Sequence, residues 1–545
     1  MKGEAWEGAG EWLWLPAALL LCAILAAWWA LELLLWRPRR VEEHFSRQGI
    51  KGPPYRFFLG NLTELIRMTL EASSKPMALP FSHNILPRVL PFHNHWSKIY
   101  GSNFLVWFGP TARLTVGDPD LISEILVSRA DAFERDERHP LVRHLEGEGL
   151  LNLQGERWAY HRKVVSPLFH PDNLGLLIPV IGNRMAEMAE QWVVSPESGE
   201  AEVEVTEYFQ KLTGEVVSRA VLGGGYKHGE AIFGLQAQQM ALAADAFRNV
   251  FFPGCCLLPT KRNTAYWKLN KEIRSSLARL IGLRKEQRAA AEAAPKDNHG
   301  PTDLLDLLIG AAVKTSSSPV PAPAITPHDI VEECKTFLHA GKQTTSSLLT
   351  WATVLLAMYP DWQDLARREV LLVCGWSSVP AAEQIGKLKK LSMILHETLR
   401  LYPPSVATTR TANTHVELGG RLIPRGTQLV ISTLAVHHDQ KLWGQDAGEF
   451  NPDRFVNGVA GAAAHPAAFM PFGLGARTCA GQRLALMQAK FAMAVLLRRF
   501  SFRLSPAYVH APIVSMILSP QHGAPIIFKL LPETAAEDTS GSIIG

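Results

Sequence analysis

The most apolar part of the chain is residues 12–36, in which Glu32 is the only charged side chain. A helix of this length can cross the hydrocarbon core of a bilayer. Three arginines follow it closely, whereas three glutamates and one lysine precede it, so the positive-inside rule places the remainder of the chain in the cytosol. A cleaved secretory signal would be shorter and would carry its basic residues first. We therefore predict an uncleaved signal anchor over residues 1–36. A basic, proline-rich linker over residues 37–54 follows, with a stiff turn at Pro38 and at the Gly-Pro-Pro sequence near its end.

Beyond the linker, most apolar positions recur at helical spacing. The clearest helix covers residues 329–359, and another covers residues 482–500. Alternating residues on both sides of a Gly-Pro dipeptide predict a pair of strands within residues 104–116. Other segments predicted in the same way are a helical region over 173–285, short strands over 416–418, 422–423 and 427–431, and a C-terminal hairpin of 514–518 with 525–530.

Composition limits the classes of protein that fit this pattern. The chain has 545 residues, of which 47% are hydrophobic, and this is enough for a large core. The net charge is only +4, so nothing suggests nucleic-acid binding. The six cysteines lack the spacing of a disulfide framework, which indicates a reducing compartment for the main body.

One cysteine, Cys479, lies in a glycine-containing stretch just before the helix over residues 482–500. Free N–H groups and the positive end of the helix dipole favour a thiolate there, and a thiolate is a suitable axial ligand for haem iron. Taken alone, however, a cysteine is more often a small buried hydrophobe. A structural zinc site would need a second cysteine close by, and a catalytic nucleophile would need a paired histidine and an oxyanion hole.

The helix over residues 329–359 contains a glycine and two threonines near its middle, from Ala340 to Thr345. These residues weaken a helix, which tolerates them where a ligand lies against the backbone or where water enters. Thr344 would offer a hydroxyl group, and Gln343 beside it can hold a water molecule but cannot ionise. A groove of small residues for helix packing would give the same pattern.

Two pairs of polar side chains have helical spacing. Trp158 and Arg162 are four residues apart, so an arginine supported by an indole could clamp a carboxylate, although an exposed arginine packed on a core tryptophan would have the same spacing. Glu397 and Arg400 are one turn apart among apolar neighbours, which indicates burial. Because a buried ion pair needs further partners, we expect Arg454 to join it.

The positions Phe472-x-x-Gly475-x-Arg477-x-Cys479-x-Gly481 fix five residues within ten, a pattern that rarely arises by chance. It resembles the haem-binding loop of the cytochrome P-450 superfamily, and the other motifs occur in the order found in that superfamily. The resemblance implies a mainly α fold with a small β region, preceded by one N-terminal transmembrane helix. It places the catalytic domain at residues 55–531 and a flexible tail at residues 532–545.

The resemblance also implies roles for individual residues. The cofactor would be haem b, iron protoporphyrin IX, with Cys479 as the axial ligand of the iron and with Thr344 and Gln343 as catalytic residues. The residue before the first threonine is commonly acidic in the superfamily, so Gln343 departs from the pattern; Glu332 or Glu333 upstream could feed a water chain instead. Glu397, Arg400 and Arg454 would form a structural triad. The expected cofactor-binding residues are Cys479, Trp158, Arg162, Arg410, Arg477, Phe472, Gly473 and Ala340, and the expected substrate-pocket residues are Phe337, Val406, Ala407, Val514 and Met516.

Less specific sequence similarities bear on the identity of the substrate. Segments near residues 52, 82, 139, 340 and 520 resemble a plant subgroup of hydroxylases that inactivate brassinosteroids at side-chain carbon C-26, and that subgroup shares Gln343. The implied enzyme is a monooxygenase of the endoplasmic reticulum membrane, with a cytosolic catalytic domain. It would take electrons from NADPH-cytochrome P-450 reductase and act on a small apolar substrate.

Other readings stay open at this point. Related plant enzymes act on cytokinins or gibberellins. A haem-thiolate isomerase or dehydratase that uses peroxide, or a non-catalytic haem or steroid binder, would have a similar cysteine loop. His437 and His438 could assist a haem propionate, although exposed turn histidines are the more common case.

Overall fold

The computed structural model describes residues 11–77, 82–135, 139–190, 192, 199–224, 226–246, 257–292, 303–316, 324–375 and 380–532. The tail predicted over residues 532–545 therefore lies, apart from its first residue, outside the described residues. Helices dominate these ranges, and the strands form small sheets. The predicted mainly α fold with a small β region is confirmed.

The α-helices are numbered along the chain. They are α1 Glu11–Leu31, α2 Arg37–Arg47, α3 Leu62–Ser73, α4 Leu86–Val89, α5 Pro91–Tyr100, α6 Pro119–Ser123, α7 Pro140–Glu146, α8 Gly155–Val165, α9 Pro171–Gly175, α10 Ile178–Glu190, α11 Val205–Leu222, α12 Tyr226–Ala246, α13 Lys261–Glu292, α14 Leu304–Ser316, α15 Pro327–Met358, α16 Pro360–Cys374, α17 Ala382–Lys387, α18 Lys389–Leu401, α19 Thr433–His437, α20 Gln440–Trp443 and α21 Gln482–Arg499. The strands are β1 Phe104–Phe108, β2 Thr111–Val116, β3 Phe133–Glu134, β4 Glu200–Glu204, β5 Thr408–Ala412, β6 Val416–Leu418, β7 Arg421–Ile423, β8 Gln428–Ile431, β9 Phe500–Leu504, β10 Pro512–Ser515, β11 Ile517–Pro520 and β12 Pro525–Leu530.

The N-terminal helix continues beyond the predicted anchor. α1 passes through a five-residue π-helical segment, Glu32–Trp36, directly into α2. Pro38 does not form the predicted turn, because the helix continues through it. A proline cannot donate to the carbonyl four residues earlier, and that carbonyl, of Leu34, accepts the hydroxyl of Tyr55 instead. The chain turns instead after α2, near Gly49, whose φ is +80°. The segment Pro16–Arg47 is long and apolar enough to cross a membrane.

Of the two strand pairings predicted from the sequence, the structure contains one. The largest sheet has the order β1-β2-β8-β5-β3, and its first two strands are the predicted pair. The predicted C-terminal hairpin is wrong: β12 pairs with β9 and β4, while β10 pairs with β11. Met516 forms the tip between β10 and β11 with φ +69°, a turn conformation that interrupts the single strand expected over residues 514–518.

The 32-residue helix α15 crosses the core. Its N-terminus is closed by a capping box in which Thr326 and Asp329 each accept a backbone N–H of the other. Its most extensive packing is against α11. The two helices come close at Gly341, where an added Cβ atom would lie 2.5 Å from Cγ2 of Val217. The packing explanation for the small residues in this helix therefore holds at Gly341.

Two glycines inside helices allow a direct test of this close approach. Gly341→Ala should destabilise the protein by about 1–3 kcal/mol because the new methyl group overpacks against Val217. Gly282→Ala in α13 should stabilise it by about 0.5–1 kcal/mol, since no atom lies within 4 Å of that added Cβ. The measurement is the unfolding midpoint of each purified variant in detergent. Two shifts of the same sign would contradict the packing assignment.

Candidate functional site

A cavity of about 1100 Å³ lies between the middle of α15 and the loop before α21. Ala340, Thr344 and Leu348 line it from α15, and Cys479 lines it from the loop. Ligand pockets in proteins usually measure about 300–1,000 Å³, so this cavity has room for a large prosthetic group together with a second molecule.

The loop that carries Cys479 is held by its backbone. Gly473 and Gly475 have φ values of +74° and +69°, and the N–H of Cys479 donates to the carbonyl of Phe472 at 2.9 Å. A side chain at Gly475 is excluded, because its Cβ would lie 2.2 Å from the carbonyl oxygen of Leu126. The cysteine is accessible from the cavity, and the loop thus presents its sulfur to the cavity from a fixed backbone.

The electrostatics of Cys479 differ from the sequence-based expectation. Burial raises the pKa of the thiol, although backbone hydrogen bonds at Gly481 and Gln482 and the charge of Arg162 act in the opposite direction. The start of α21 is therefore insufficient by itself to favour the thiolate in the protein alone. Coordination to a metal ion deprotonates a thiol, so iron at this sulfur would supply the missing positive charge.

Five arginines line the cavity, and we refer to four of them, Arg135, Arg162, Arg410 and Arg477, as its arginine-rich part. Arg135 forms an ion pair at 2.7 Å with Glu146, which also lines the cavity. Arg410 is buried, and its hydrogen bonds go to Oγ1 of Thr408 at 2.8 Å and the carbonyl of Thr409 at 2.9 Å. No carboxylate in the described part of the chain forms an ion pair with it. Burial and then the nearby Arg135 and Arg477 lower the pKa of Arg410 to about 10.

These features fit iron protoporphyrin. The cavity combines an accessible sulfur, a facing helix with small residues, and guanidinium groups whose excess positive charge suits the two carboxylates of the porphyrin. Cys479 would hold the iron, and Arg162, Arg410 and Arg477 would hold the carboxylates. When bound, haem supplies the activation of molecular oxygen. Trp158 supports this arrangement, because the guanidinium carbon of Arg477 lies 4.4 Å from the centre of its ring.

Of the two predicted catalytic residues, Thr344 lines the cavity and Gln343 does not. Thr344 lines the cavity, and its hydroxyl donates to the carbonyl of Ala340 at 2.8 Å, which leaves its oxygen able to accept a hydrogen bond from a water molecule. Gln343 is half-buried and is not among the residues that line the cavity. Its catalytic role stays a prediction. Glu332 and Glu333 are buried, and their carboxylates bind protein groups, which leaves the suggested water chain without support.

The structure brings the predicted triad together away from the cavity. Both oxygens of Glu397 accept hydrogen bonds from Arg400 at 2.7 Å, and neither residue has exposed surface. Nε of Arg454 lies 3.5 Å from the same carboxylate. Arg400 also donates to three backbone carbonyls, which satisfies the donors that burial would otherwise leave unpaired.

His437 and His438 are not exposed turn residues. Both are buried, and their rings bind the backbone carbonyls of Arg400 and Leu401 at 3.1 and 3.0 Å. Burial lowers the pKa of both to about 3. Neither lines the cavity, so they do not contact the predicted propionate site.

All the predicted cofactor-binding and substrate-pocket residues line the same cavity. They are Cys479, Trp158, Arg162, Arg410, Arg477, Phe472, Gly473, Ala340, Phe337, Val406, Ala407, Val514 and Met516. Sequence reasoning missed Arg135, His339 and the inner face of α3. The helical spacing of the apolar residues of α3 was a usable signal for the last of these, whereas an isolated arginine or histidine carries none.

The chain is similar to known proteins over most of its length. The family model described as "Cytochrome P450" matches residues 77–528. "Cytochrome P450 734A6" of Oryza sativa subsp. japonica is 57% identical over 517 residues, which cover 93% of this chain and 94% of the relative. "Cytochrome P450 734A1" of Arabidopsis thaliana is 55% identical over 528 residues, or 96% and 99% of the two chains. "Secologanin synthase 1" of Catharanthus roseus is 38% identical over 521 residues, or 94% and 97%.

Replacement of Cys479 tests the iron ligand. Cys479→Ala should abolish the thiolate-type shift in the absorption spectrum of the reduced protein with carbon monoxide, because no other described cysteine lines the cavity. Cys374→Ala is the matched control, since this buried cysteine lies on α16 away from the cavity. Persistence of the shift in Cys479→Ala would refute the ligand assignment.

Replacement of Arg410 tests the anion site. Arg410→Gln should accelerate the loss of haem about tenfold to a hundredfold, which corresponds to one lost charged hydrogen bond of about 1.5–3 kcal/mol. The rate is measured by transfer of haem to an excess of apomyoglobin. Arg503→Gln, which alters an exposed ion pair with Glu200, is the control and should leave the rate unchanged. Equal rates in both variants would remove Arg410 from the site.

Proposed function

The chain belongs to the cytochrome P450 family, and from this premise we propose that it is a membrane-anchored hydroxylase of brassinosteroids. As a member of that family it is a haem-dependent monooxygenase. The finer assignment is hydroxylation of the steroid side chain at C-26, a reaction that inactivates the hormone. The observation that supports it is the large cavity that contains Cys479 and that is lined by apolar residues from several segments of the chain.

The walls of this region suit a steroid body. They come from α3, α5, α15, the loop after α18 and the hairpin of β10 and β11. Apolar residues among them are Leu65, Ile66, Phe92, Phe337, Val406, Ala407, Val514 and Met516. Burial of apolar surface is the main source of affinity for such a ligand. Phe337 is fixed by stacking on Phe169, with ring centres 5.8 Å apart.

A few polar groups interrupt the apolar walls and could bind the hydroxyl groups of a brassinosteroid. His339 on α15 lines the cavity, and burial lowers its pKa, so the ring is neutral near pH 7 and can both donate and accept a hydrogen bond. Thr408 and Ser515 also line the cavity. A site with sparse polar groups of this kind orients a hydroxylated apolar ligand better than a highly charged one.

Membrane anchoring and electron supply follow from the same assignment. The helix Pro16–Arg47 would anchor the protein in the endoplasmic reticulum as a single span, with the catalytic body in the cytosol. Enzymes of this family generally use a redox partner. We assign the role of redox partner to NADPH-cytochrome P-450 reductase, which would deliver electrons from the cytosolic side.

A parallel assay separates the candidate substrates. Microsomes that contain the protein and the reductase receive NADPH with castasterone, a gibberellin or an isopentenyladenine cytokinin. We expect castasterone to gain one oxygen atom at the end of its side chain and the other two compounds to remain unchanged. The product is identified by mass spectrometry, and microsomes with Cys479→Ala are the control.

Two outcomes would overturn the proposal. Oxidation of the gibberellin or cytokinin without any brassinosteroid product would replace the substrate class. Turnover of a lipid hydroperoxide that requires neither NADPH nor reductase, with no oxidation of castasterone, would favour a haem-thiolate isomerase or dehydratase. Retention of Thr344 on the cavity wall favours the monooxygenase.

A further inference from the structure

Two adjacent carboxylates of α15, Glu332 and Glu333, are buried one turn or more before the part of the helix that faces the cavity. Glu332 is 1% exposed and Glu333 is completely buried. Neither lines the cavity, so neither can contact substrate or cofactor. Because the burial of a carboxylate is costly, the contacts of these two groups indicate what they stabilise.

Glu333 connects two other segments to α15. Its Oε1 accepts a hydrogen bond from Nδ1 of His161 on α8 at 2.6 Å, and its Oε2 accepts from the N–H of Leu150 at 3.0 Å. The loop before Leu150 packs tightly against it, since a Cβ atom added to Gly149 would lie 2.7 Å from Oε2. The His161 side chain is also buried, at 2% exposure. Water therefore cannot replace either contact.

Both segments carry groups that line the arginine-rich part of the cavity. On α8, His161 lies three residues after Trp158 and directly before Arg162. In the loop after Leu150, the carbonyl of Leu151 accepts a hydrogen bond from Arg135 at 3.1 Å.

The same loop also holds the arginine of the cysteine stretch. The carbonyl of Leu153 accepts a hydrogen bond from Arg477 at 2.8 Å, and this guanidinium stacks on Trp158 of α8. Both segments that contact Glu333, α8 and the loop of residues 147–153, therefore also contact Arg477.

We propose that Glu333 and His161 are a positioning pair that sets the spacing of Arg135, Arg162 and Arg477 and thereby the retention of haem. The pair acts through α8 and through the loop of residues 147–153, and it touches neither the cofactor nor the substrate. The proposal depends on the haem site and does not depend on the identity of the substrate.

The neighbouring carboxylate provides a matched control. Glu332 accepts the N–H of Glu148 at 2.8 Å and lies 2.8 Å from Nε of Arg274, which belongs to α13. It shares with Glu333 the helix, the burial, the charge and a hydrogen bond to the loop of residues 147–153, but its ion pair joins α13 where that of Glu333 joins α8. The effects of losing a buried carboxylate and of loosening this loop should appear in both variants, whereas the effect transmitted through α8 should appear only at Glu333.

The test compares Glu333→Gln with Glu332→Gln in the full-length haem protein. A glutamine keeps the shape of the side chain but presents an N–H₂ group where one of the two donors was bound. We expect Glu333→Gln to accelerate haem transfer to apomyoglobin about tenfold. It should also diminish the thiolate-type carbon monoxide spectrum. Glu332→Gln should lower the unfolding midpoint but accelerate haem transfer clearly less than Glu333→Gln, because it leaves the contact with His161 of α8 intact.

A second pair of variants keeps the proposal falsifiable if Glu333→Gln folds poorly. His161→Leu should accelerate haem loss to a similar extent, and His161→Gln, which retains an N–H donor, should restore part of the slow rate. In a double-mutant cycle, Glu333→Gln with His161→Leu should lose haem no faster than Glu333→Gln alone, because the only contact that His161 makes in the pair is already altered there. Unchanged haem retention in both Glu333→Gln and His161→Leu, or equal acceleration in Glu332→Gln, would overturn the proposal.

Discussion

The cysteine loop depends on an ion pair that never meets solvent. Glu397 and Arg400 have no exposed surface, and removing two such charges from water costs several kcal/mol for each ion. Arg400 offsets this cost by also donating to the carbonyl of His437 at 2.9 Å. The ring of His437 in turn accepts the N–H of Met470 at 3.1 Å, and Met470 directly precedes the stretch that contains Cys479. A charge pair on α18 thus fixes the entry of the chain into the haem site.

Local sequence patterns were sufficient for the long helices, and the resemblance to the P-450 superfamily supplied many of the residues around the cavity. The periodicity of α15 and the motif around Cys479 are short-range features, and the structure places them where the pattern indicates. Strand pairing was not predictable in the same way, because β12 finds its partners at β9 and β4, and β4 lies more than 300 residues earlier. The burial of His437 and His438 depends on carbonyls from α18, which no local pattern reveals.

The chemistry at the cavity is better defined by the sequence than the choice of substrate. Cys479 and Arg477 belong to one compact motif, whereas the apolar walls come from segments spread between α3 and β11. Each wall residue is an ordinary hydrophobic side chain, and only the fold shows that these residues face a common space. The electrostatics of Cys479 also needed the structure, since the competition between burial and the N–H groups of α21 depends on how deeply the sulfur lies.

The N-terminal helix is continuous and is joined directly to the catalytic body. No flexible linker separates the apolar span from α2, and the hydroxyl of Tyr55 donates to the carbonyl of Leu34 at 2.5 Å, which fastens the catalytic body to the helix. Because an α-helix turns about 100° for each residue, one residue inserted into the apolar segment before Leu34 would rotate all the preceding residues by this amount relative to the catalytic body. The number of residues before Leu34 therefore determines which face of the apolar helix lies on the same side as the body.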